Sequence, residues 1–475
     1  MSVRTLMLAD VIEALAGRRP EGLDQPISMT VVDSRQVEPG ALFVALKGEH
    51  ADGHAYVADA FSRGAVAAIA ERDVGQPGFT LDLTDPALEF PSTWALPLVL
   101  RVEDSLQAIQ KVATSWRKRH DLRVIGITGS VGKTTTKELV AAVLARRYVT
   151  LKSEASYNNE IGLPLTLMHL TEEHQCAVLE MGMYDVGEIA DLARIAQPHV
   201  GVVTIIRPVH LERAGTFERI VSAKAELVEA LPPAPDGVAI LNYDDENVRG
   251  MAQVTQARVF YYGLSPEADL WADHIEGLGL EGIRFQLHHG GEVLYVRIPL
   301  LGRHSVHTAL RAAAVGLVEG LTWQEIIEGL RGPSLQLRLV AVPGPDGATI
   351  LDDTYNASPA SVIAALNLLD ELDGRKVAVL GDMLELGEYE HEGHEKVGMR
   401  ALEVADILVA VGPRGRIIGE SALRWGMPSD HVYIVEGNAE AVALLEGMVT
   451  GTDVILVKGS RGMHMEEIVG ALGRR

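Results

Sequence analysis

The stretch Gly126-Ile127-Thr128-Gly129-Ser130-Val131-Gly132-Lys133-Thr134-Thr135 decides how the middle of this chain folds. A strand-like run (Leu122, Val124, Ile125) enters it, and a helical pattern over residues 136–145 leaves it. Strand, glycine loop and helix in that order make a phosphate cradle. Glycines let successive backbone N–H groups turn inward, and the helix N-terminus adds positive potential. The loop predicted to hold a nucleoside triphosphate is Gly129, Ser130, Val131, Gly132, Lys133, Thr134 and Thr135. Lys133 would reach the β- and γ-phosphates, and the Thr134 hydroxyl would ligate Mg²⁺. Ile127 stands where the strict G-x-x-x-x-G-K-[ST] pattern has its first glycine, so the motif here is G-x-x-G-K-T-T. A plain turn between strand and helix would not need Gly-Lys-Thr at the helix start.

Around that loop, apolar runs recur at 124–128, 176–180, 200–206 and 238–241, separated by helical patterns. This alternation predicts a central α/β domain over residues 100–331, with a mostly parallel sheet. Residues 1–99 mix an amphipathic helix (Leu8, Val11, Ile12, Leu15, stopped by Gly17) with short strands at 31–32, 42–46 and 66–69. They end in a stretch punctuated by Pro86, Pro91 and Pro97, which reads as the exit from a small α/β N-terminal domain. Residues 332–475 alternate strands at 349–352, 376–381, 406–411, 431–435 and 453–458 with helix-length segments, the pattern of a Rossmann-like domain. The fold class expected is therefore α/β in three domains. At 475 residues, with 47% apolar side chains, each domain can bury its own core.

Charge narrows the partners. The chain has 42 basic and 65 acidic residues, a net of −23, so its surface repels nucleic-acid backbones. Anionic small substrates would need local basic pockets. The single cysteine, Cys176, lies in an apolar run and reads as a buried thiol, with no disulfide or Cys-rich metal site. No segment has the length and apolarity of a membrane span, and a cytoplasmic protein, working as a monomer, is expected.

Ligands of parallel sheets sit beyond the carboxyl ends of the strands. Glu180 closes the run 176–180 and could hold Mg²⁺ beside Lys133 and Thr134, or could be a solvated strand-end carboxylate. His210 follows another strand-like run, and Lys224 lies fourteen residues further on, in a helix pattern that is apolar around it. From composition alone Lys224 reads as a solvated helix lysine.

Together these motifs resemble the Mur ligases, ATP-dependent amide-forming enzymes of peptidoglycan precursor synthesis. The resemblance spans the chain. It is carried by Asp33-Ser34-Arg35, Leu46-Lys47-Gly48, the phosphate loop, Asn158-Asn159-Glu160, Glu180-Met181-Gly182, His210-Leu211-Glu212, Ala223-Lys224 and Asp353-Thr354-Tyr355-Asn356. The segments Gly381-Asp382-Met383-Leu384-Glu385-Leu386-Gly387 and Lys458-Gly459-Ser460-Arg461-Gly462-Met463 point to the member that adds a dipeptide. The Asp-Asn-Pro-Arg signature of the diaminopimelate-adding sister enzyme is absent.

The resemblance implies a ligase that joins D-alanyl-D-alanine to UDP-N-acetylmuramoyl-tripeptide through an acyl phosphate. It implies ATP and two Mg²⁺ ions, one near Thr134 and Glu180 and one near His210 and a carbamylated Lys224. Lys133, Glu180, His210 and Lys224 would be the catalytic set. Asp353 would meet the nucleotide ribose, with Arg338 close by. Ser34, Arg35 and Lys47 would serve the uridine-diphosphate pocket, and Asn158, Asn159, Ser460 and Arg461 the rest of the acceptor and the dipeptide. Ser156, Ser305, Thr308 and Ser358 stand where the family tends to carry asparagine, which implies a looser preference for adenine. The alternatives are a sister ligase adding another amino acid and a nucleotide-switched binding protein with the same loop.

Overall fold

The computed structural model describes residues 5–48, 51–75, 79–154, 157–208, 212, 215–332 and 339–473. Three sheets follow one another along it. The first contains β1 (Thr30–Val31), β2 (Leu42–Val44), β3 (Ala67–Ala70), β4 (Phe79–Asp82) and β5 (Leu98–Arg101), all parallel, in the order β1-β2-β3-β5-β4. The domain boundary expected at residue 99 falls inside β5, which pairs with both β3 and β4 as far as Arg101. The prolines before it lead into the last strand of this sheet, because a proline without an N–H is tolerated just ahead of a strand.

The second sheet holds β6 (Arg123–Thr128), β7 (Thr150–Lys152), β8 (Cys176–Glu180), β9 (Val200–Val203), β10 (Val238–Asn242), β11 (Arg258–Gly263), β12 (Leu270–Gly277), β13 (Ile283–His289) and β14 (Glu292–Ile298). Its order is β14-β13-β12-β11-β10-β9-β6-β8-β7. From β7 to β12 the strands are parallel, while β13 and β14 fold back antiparallel. The chain leaves β6 toward β8 on one side and returns to β9 on the other. The loop after β6 therefore opens at a topological switch point, where parallel sheets bind ligands. The two pairing strands that flank β6 are apolar on both faces (Val178, Leu179, Val202, Val203), as a doubly covered sheet demands.

In the third sheet the order is β15-β16-β20-β17-β18-β19, with β15 (Val340–Pro343) antiparallel to β16 (Thr349–Asp352). The parallel part comprises β16, β17 (Arg375–Gly381), β18 (Ile407–Val411), β19 (Val432–Val435) and β20 (Asp453–Lys458). Each of its strands lies within a residue of the expected run.

The first two domains share a core. Leu8 and Ile12 of the helix Leu8–Ala16 cluster with Ile109 and Trp116 of the helix Ser105–Arg117. Beside them Asp10, buried at the seam, accepts hydrogen bonds from Arg19 at 2.6 Å and from Arg119. Gly17 ends the first helix in the left-handed conformation at φ 76° and returns its N–H to Glu13.

Candidate active site

The phosphate loop is held open by the chain that follows β9. Thr204 donates its hydroxyl to the Val131 carbonyl at 2.7 Å, and the Ser130 N–H donates to Ile205 O at 2.7 Å. The Ser130 hydroxyl donates to Arg207 O at 2.9 Å and accepts from the Arg207 N–H at the same distance. Gly129, at φ 139°, lies so close that a Cβ there would meet Thr204 Oγ1 at 1.9 Å. Gly132, at φ 82°, starts the helix Lys133–Leu144, leaving that helix's first N–H groups directed at the loop's hollow. These two positions require glycine.

Lys133 Nζ donates to Gly129 O at 2.9 Å. The next residue, Thr134, donates its hydroxyl to Glu180 Oε2 at 2.7 Å. Asn158 Nδ2 holds the other carboxylate oxygen at 2.9 Å. Glu180 itself is 1% exposed, at the carboxyl end of β8. Asn159 accepts the Gly162 N–H at 2.9 Å, where the next helix begins. Both asparagines, expected to touch substrate, line the cleft, and Asn158 also aims the carboxylate. Sequence spacing does not reveal that bond.

A threonine hydroxyl and a carboxylate side by side are hard oxygen donors, the set that suits Mg²⁺. Among the described residues no group of three or more His, Cys, Asp or Glu side chains converges on one point. A cation here would complete its shell from substrate phosphate and water, as Mg²⁺ prefers. Lys224, on the helix Phe217–Glu229, is buried, and no carboxylate pairs with it among the described residues. Burial, with the charge of Lys133 nearby, drives its amine well below the usual lysine range.

The opposite wall comes from the third domain. Lys458, as buried as Lys224, donates to Asp353 Oδ2 at 2.6 Å and to Asn356 O at 2.8 Å. Ser460 accepts the Leu384 N–H on its hydroxyl at 2.9 Å, while Arg461 Nη1 reaches the Tyr355 hydroxyl at 3.2 Å. Both walls border one cleft of about 930 Å³, lined by Lys133, Thr134, Glu180, Lys224, Asn158 and Asn159 on one side and Asp353, Tyr355, Lys458, Ser460 and Arg461 on the other. His304 stands at the rim.

Ser34, Arg35 and Lys47 do not line this cleft. Ser34 donates to Asp59 at 2.8 Å, Arg35 pairs with Asp33 at 2.7 Å on an exposed turn, and Lys47 is exposed. His210 and Arg338 lie outside the described residues. Of the four positions with a hydroxyl in place of asparagine, Ser156 is also outside them. Ser305 donates to Leu301 O at 2.6 Å on its own helix, and Ser358 caps the helix Pro359–Asp370. Lys458, Thr204 and Arg207 were not singled out by the sequence. Lys458 stands in a quoted motif, whereas nothing in the spacing of Thr204 and Arg207 marks them as a clamp on a loop more than seventy residues away.

The arrangement can bind a polyphosphate at the helix N-terminus, set a hard cation beside its terminal group, and bring a second reactant from the third domain. The chain matches the model of the Mur ligase family, catalytic domain, over residues 26–83, that of the Mur ligase middle domain over 127–316, and that of the Mur ligase, glutamate ligase domain, over 337–461. It is 36% identical over 441 residues to the UDP-N-acetylmuramoyl-tripeptide–D-alanyl-D-alanine ligase of Bacillus subtilis, which covers 92% of this chain and 91% of that one. Its fold is similar to the crystal structure of MurF from Acinetobacter baumannii, with a TM-score of 0.85, 30% identity and full coverage of both chains. It is also similar to the MurF ligase of Thermotoga maritima in complex with ADP, with a TM-score of 0.74, 27% identity, and 94% and 97% of the two chains covered.

Proposed function

This chain belongs to the Mur ligase family, and within it we propose that the protein uses ATP to join D-alanyl-D-alanine to UDP-N-acetylmuramoyl-tripeptide, a step of peptidoglycan precursor synthesis in the cytoplasm. The observation that carries this reading is the meeting in one cleft of the phosphate loop, Glu180 and Lys224 with Asp353, Lys458, Ser460 and Arg461. No single domain has all of these groups, so the reaction belongs between the second and third.

ATP binds with its phosphates on the N–H groups of residues 129–135 and on Lys133, which frees its ammonium from the Gly129 carbonyl to meet them. A terminal carboxylate oxygen of the tripeptide attacks the γ-phosphorus, and the bond from that phosphorus to the β–γ bridging oxygen breaks. ADP leaves and an acyl phosphate remains. The amine of the dipeptide then attacks the acyl carbon, the tetrahedral intermediate expels phosphate, and the nitrogen gives up a proton as the amide forms. Lys133 and the helix N-terminus stabilise charge on the transferring group, and no covalent enzyme nucleophile is needed. Thr134 and Glu180 would hold one Mg²⁺, which neutralises phosphate charge when bound. Lys224, as a carbamate, would contribute to a second with His210. Addition of CO₂ turns the amine into an anionic oxygen donor, which explains a lysine placed in an apolar helix face with no carboxylate partner among the described residues. Asp353, oriented by Lys458, would take the ribose hydroxyls. Ser34, Arg35 and Lys47 would hold the uridine diphosphate, and the protein would act as a monomer.

The test is phosphate release with UDP-N-acetylmuramoyl-tripeptide, comparing D-alanyl-D-alanine with single amino acids. The dipeptide alone should support turnover. Turnover with a single amino acid and none with the dipeptide would assign the chain to a sister reaction, and phosphate release indifferent to any amine would make it a nucleotide switch.

A further inference from the structure

One buried cation of the cleft has no part in this reaction. Arg311 lies on the helix Ser305–Val318, 5% exposed. Its Nη2 donates to Thr308 Oγ1 at 2.8 Å, and its guanidinium carbon is 5.9 Å from the centre of the Tyr262 ring. A Cβ on Gly132 would come within 3.4 Å of the same Nη2, so the group abuts the phosphate loop. Its Nε has no hydrogen-bond partner, and no carboxylate pairs with it among the described residues. Its contacts with the Thr308 and Tyr262 hydroxyls leave it without a counter-ion among the described residues, and an apolar side chain of similar volume would usually be tolerated better there. A guanidinium kept in that position has a ligand to meet.

Position identifies the part of the ligand. Glu180 and Thr134 mark the γ-phosphate flank of the loop, at the end of β8. Arg311, Thr308, His307 and Asn242 line the other flank, at the ends of β10 and β11, where the nucleoside must emerge. His304, at the start of the same helix, borders the cleft together with Asp353 and Lys458, the pair proposed for the ribose, which sets the sugar there. The base then falls against the helix's next turn. Ser305 has turned its hydroxyl back to Leu301, and Thr308 receives Arg311 on its oxygen. His307, with Nδ1 unbonded, stays neutral because burial, followed by the Arg311 charge, lowers it to about 4. A neutral imidazole both donates and accepts and does not choose between bases.

We infer that Arg311 reads the nucleobase, and that it makes this site accept a 6-oxopurine triphosphate about as well as ATP. A guanidinium only donates. Its paired N–H groups match N7 and O6 of guanine or hypoxanthine, two acceptors, whereas adenine offers N7 beside an amino group that is itself a donor. An asparagine amide would have matched adenine instead. The inference rests on the nucleotide entering the cleft as in the proposed function, but it concerns a ratio between nucleotides.

The experiment compares ATP, GTP and ITP in the ligation assay for the wild type and for Arg311→Leu and Arg311→Lys, and compares thermal shifts of the same proteins with ADP and GDP. In the wild type, kcat/KM for GTP and ITP should lie within about tenfold of that for ATP. Arg311→Leu should move the ratio toward ATP by about ten- to a hundredfold, as loss of a bidentate base contact does. Arg311→Lys, which retains the charge without the fork, should lose most of the 6-oxopurine preference and retain the fold. Without nucleotide, Arg311→Leu should melt at the wild-type temperature or above, which a purely structural arginine would not allow. A wild-type preference for ATP beyond about a thousandfold, or a ratio unchanged in both variants, would overturn the inference. The ADP and GDP shifts report base preference even where ligation fails, so a wrong acceptor and a wrong base reader are told apart.

Discussion

Lys224 and Lys458 face the same cleft from opposite walls, and each is 2% exposed. Lys458 is satisfied within the protein by the Asp353 carboxylate and the Asn356 carbonyl. For Lys224 the described residues offer no carboxylate, and Lys133 nearby opposes its charge. Low dielectric makes a paired buried ion a structural group and an unpaired one a demand for something from outside. The third-domain wall is therefore complete before substrate arrives. The central wall is completed by what it binds, and Arg311 repeats the contrast on the base side.

The sharpest way to break this contrast is to remove the cation that meets the phosphates. Lys133→Ala should lower turnover by about a thousandfold or more, with the thermal midpoint unchanged, since that side chain acts where charge develops in the transition state. Near-wild-type ligation would end the assignment of the phosphate loop. Next comes Lys224→Ala, expected to lose about a hundred- to a thousandfold in kcat and to recover part of it with added formate or acetate, which can occupy the vacated place. Lys224→Met should leave the ligand-free protein as stable as before or more so, because it removes a buried polar amine for which the described residues offer no carboxylate.

The matching change on the other wall has the opposite sign. Lys458→Met strands the Asp353 carboxylate, only 13% exposed, and should lower stability by about 3 kcal/mol in denaturant unfolding. Equal stability changes in the two lysine variants would dissolve the comparison. The smallest effect is expected far from the cleft. Arg35→Ala, at a side chain 82% exposed and paired with Asp33, should leave stability within about 0.5 kcal/mol. It should still raise KM for the UDP-linked substrate about tenfold while leaving KM for ATP unchanged. An effect on ATP instead would reassign the first domain.

What was legible in the sequence followed from local rules. The loop at residues 129–135 was visible because its glycines and lysine fall within one short stretch, and Glu180 because it ends an apolar run. The third sheet was visible because each strand is buried on both faces and bounded by helix patterns. The hairpin β13–β14 was not foreseen, since its strands alternate apolar and polar residues next to a sheet read as parallel. The bond of Asn158 to Glu180 was not legible, because a motif names residues without naming what they touch and this contact closes over 22 residues. Arg311 drew no notice inside an alanine-rich helix; only burial and an orphaned Nε distinguish it from a solvated arginine.

The central claim is that Lys224 is charged by conversion and not by pairing. Its most direct test is the magnetic-resonance spectrum of the protein equilibrated with isotopically labelled bicarbonate and Mg²⁺. A carbamate resonance should appear in the wild type, vanish in Lys224→Ala, and fade in step with activity when CO₂ is removed. A fully active, bicarbonate-equilibrated protein with no such resonance would contradict the account.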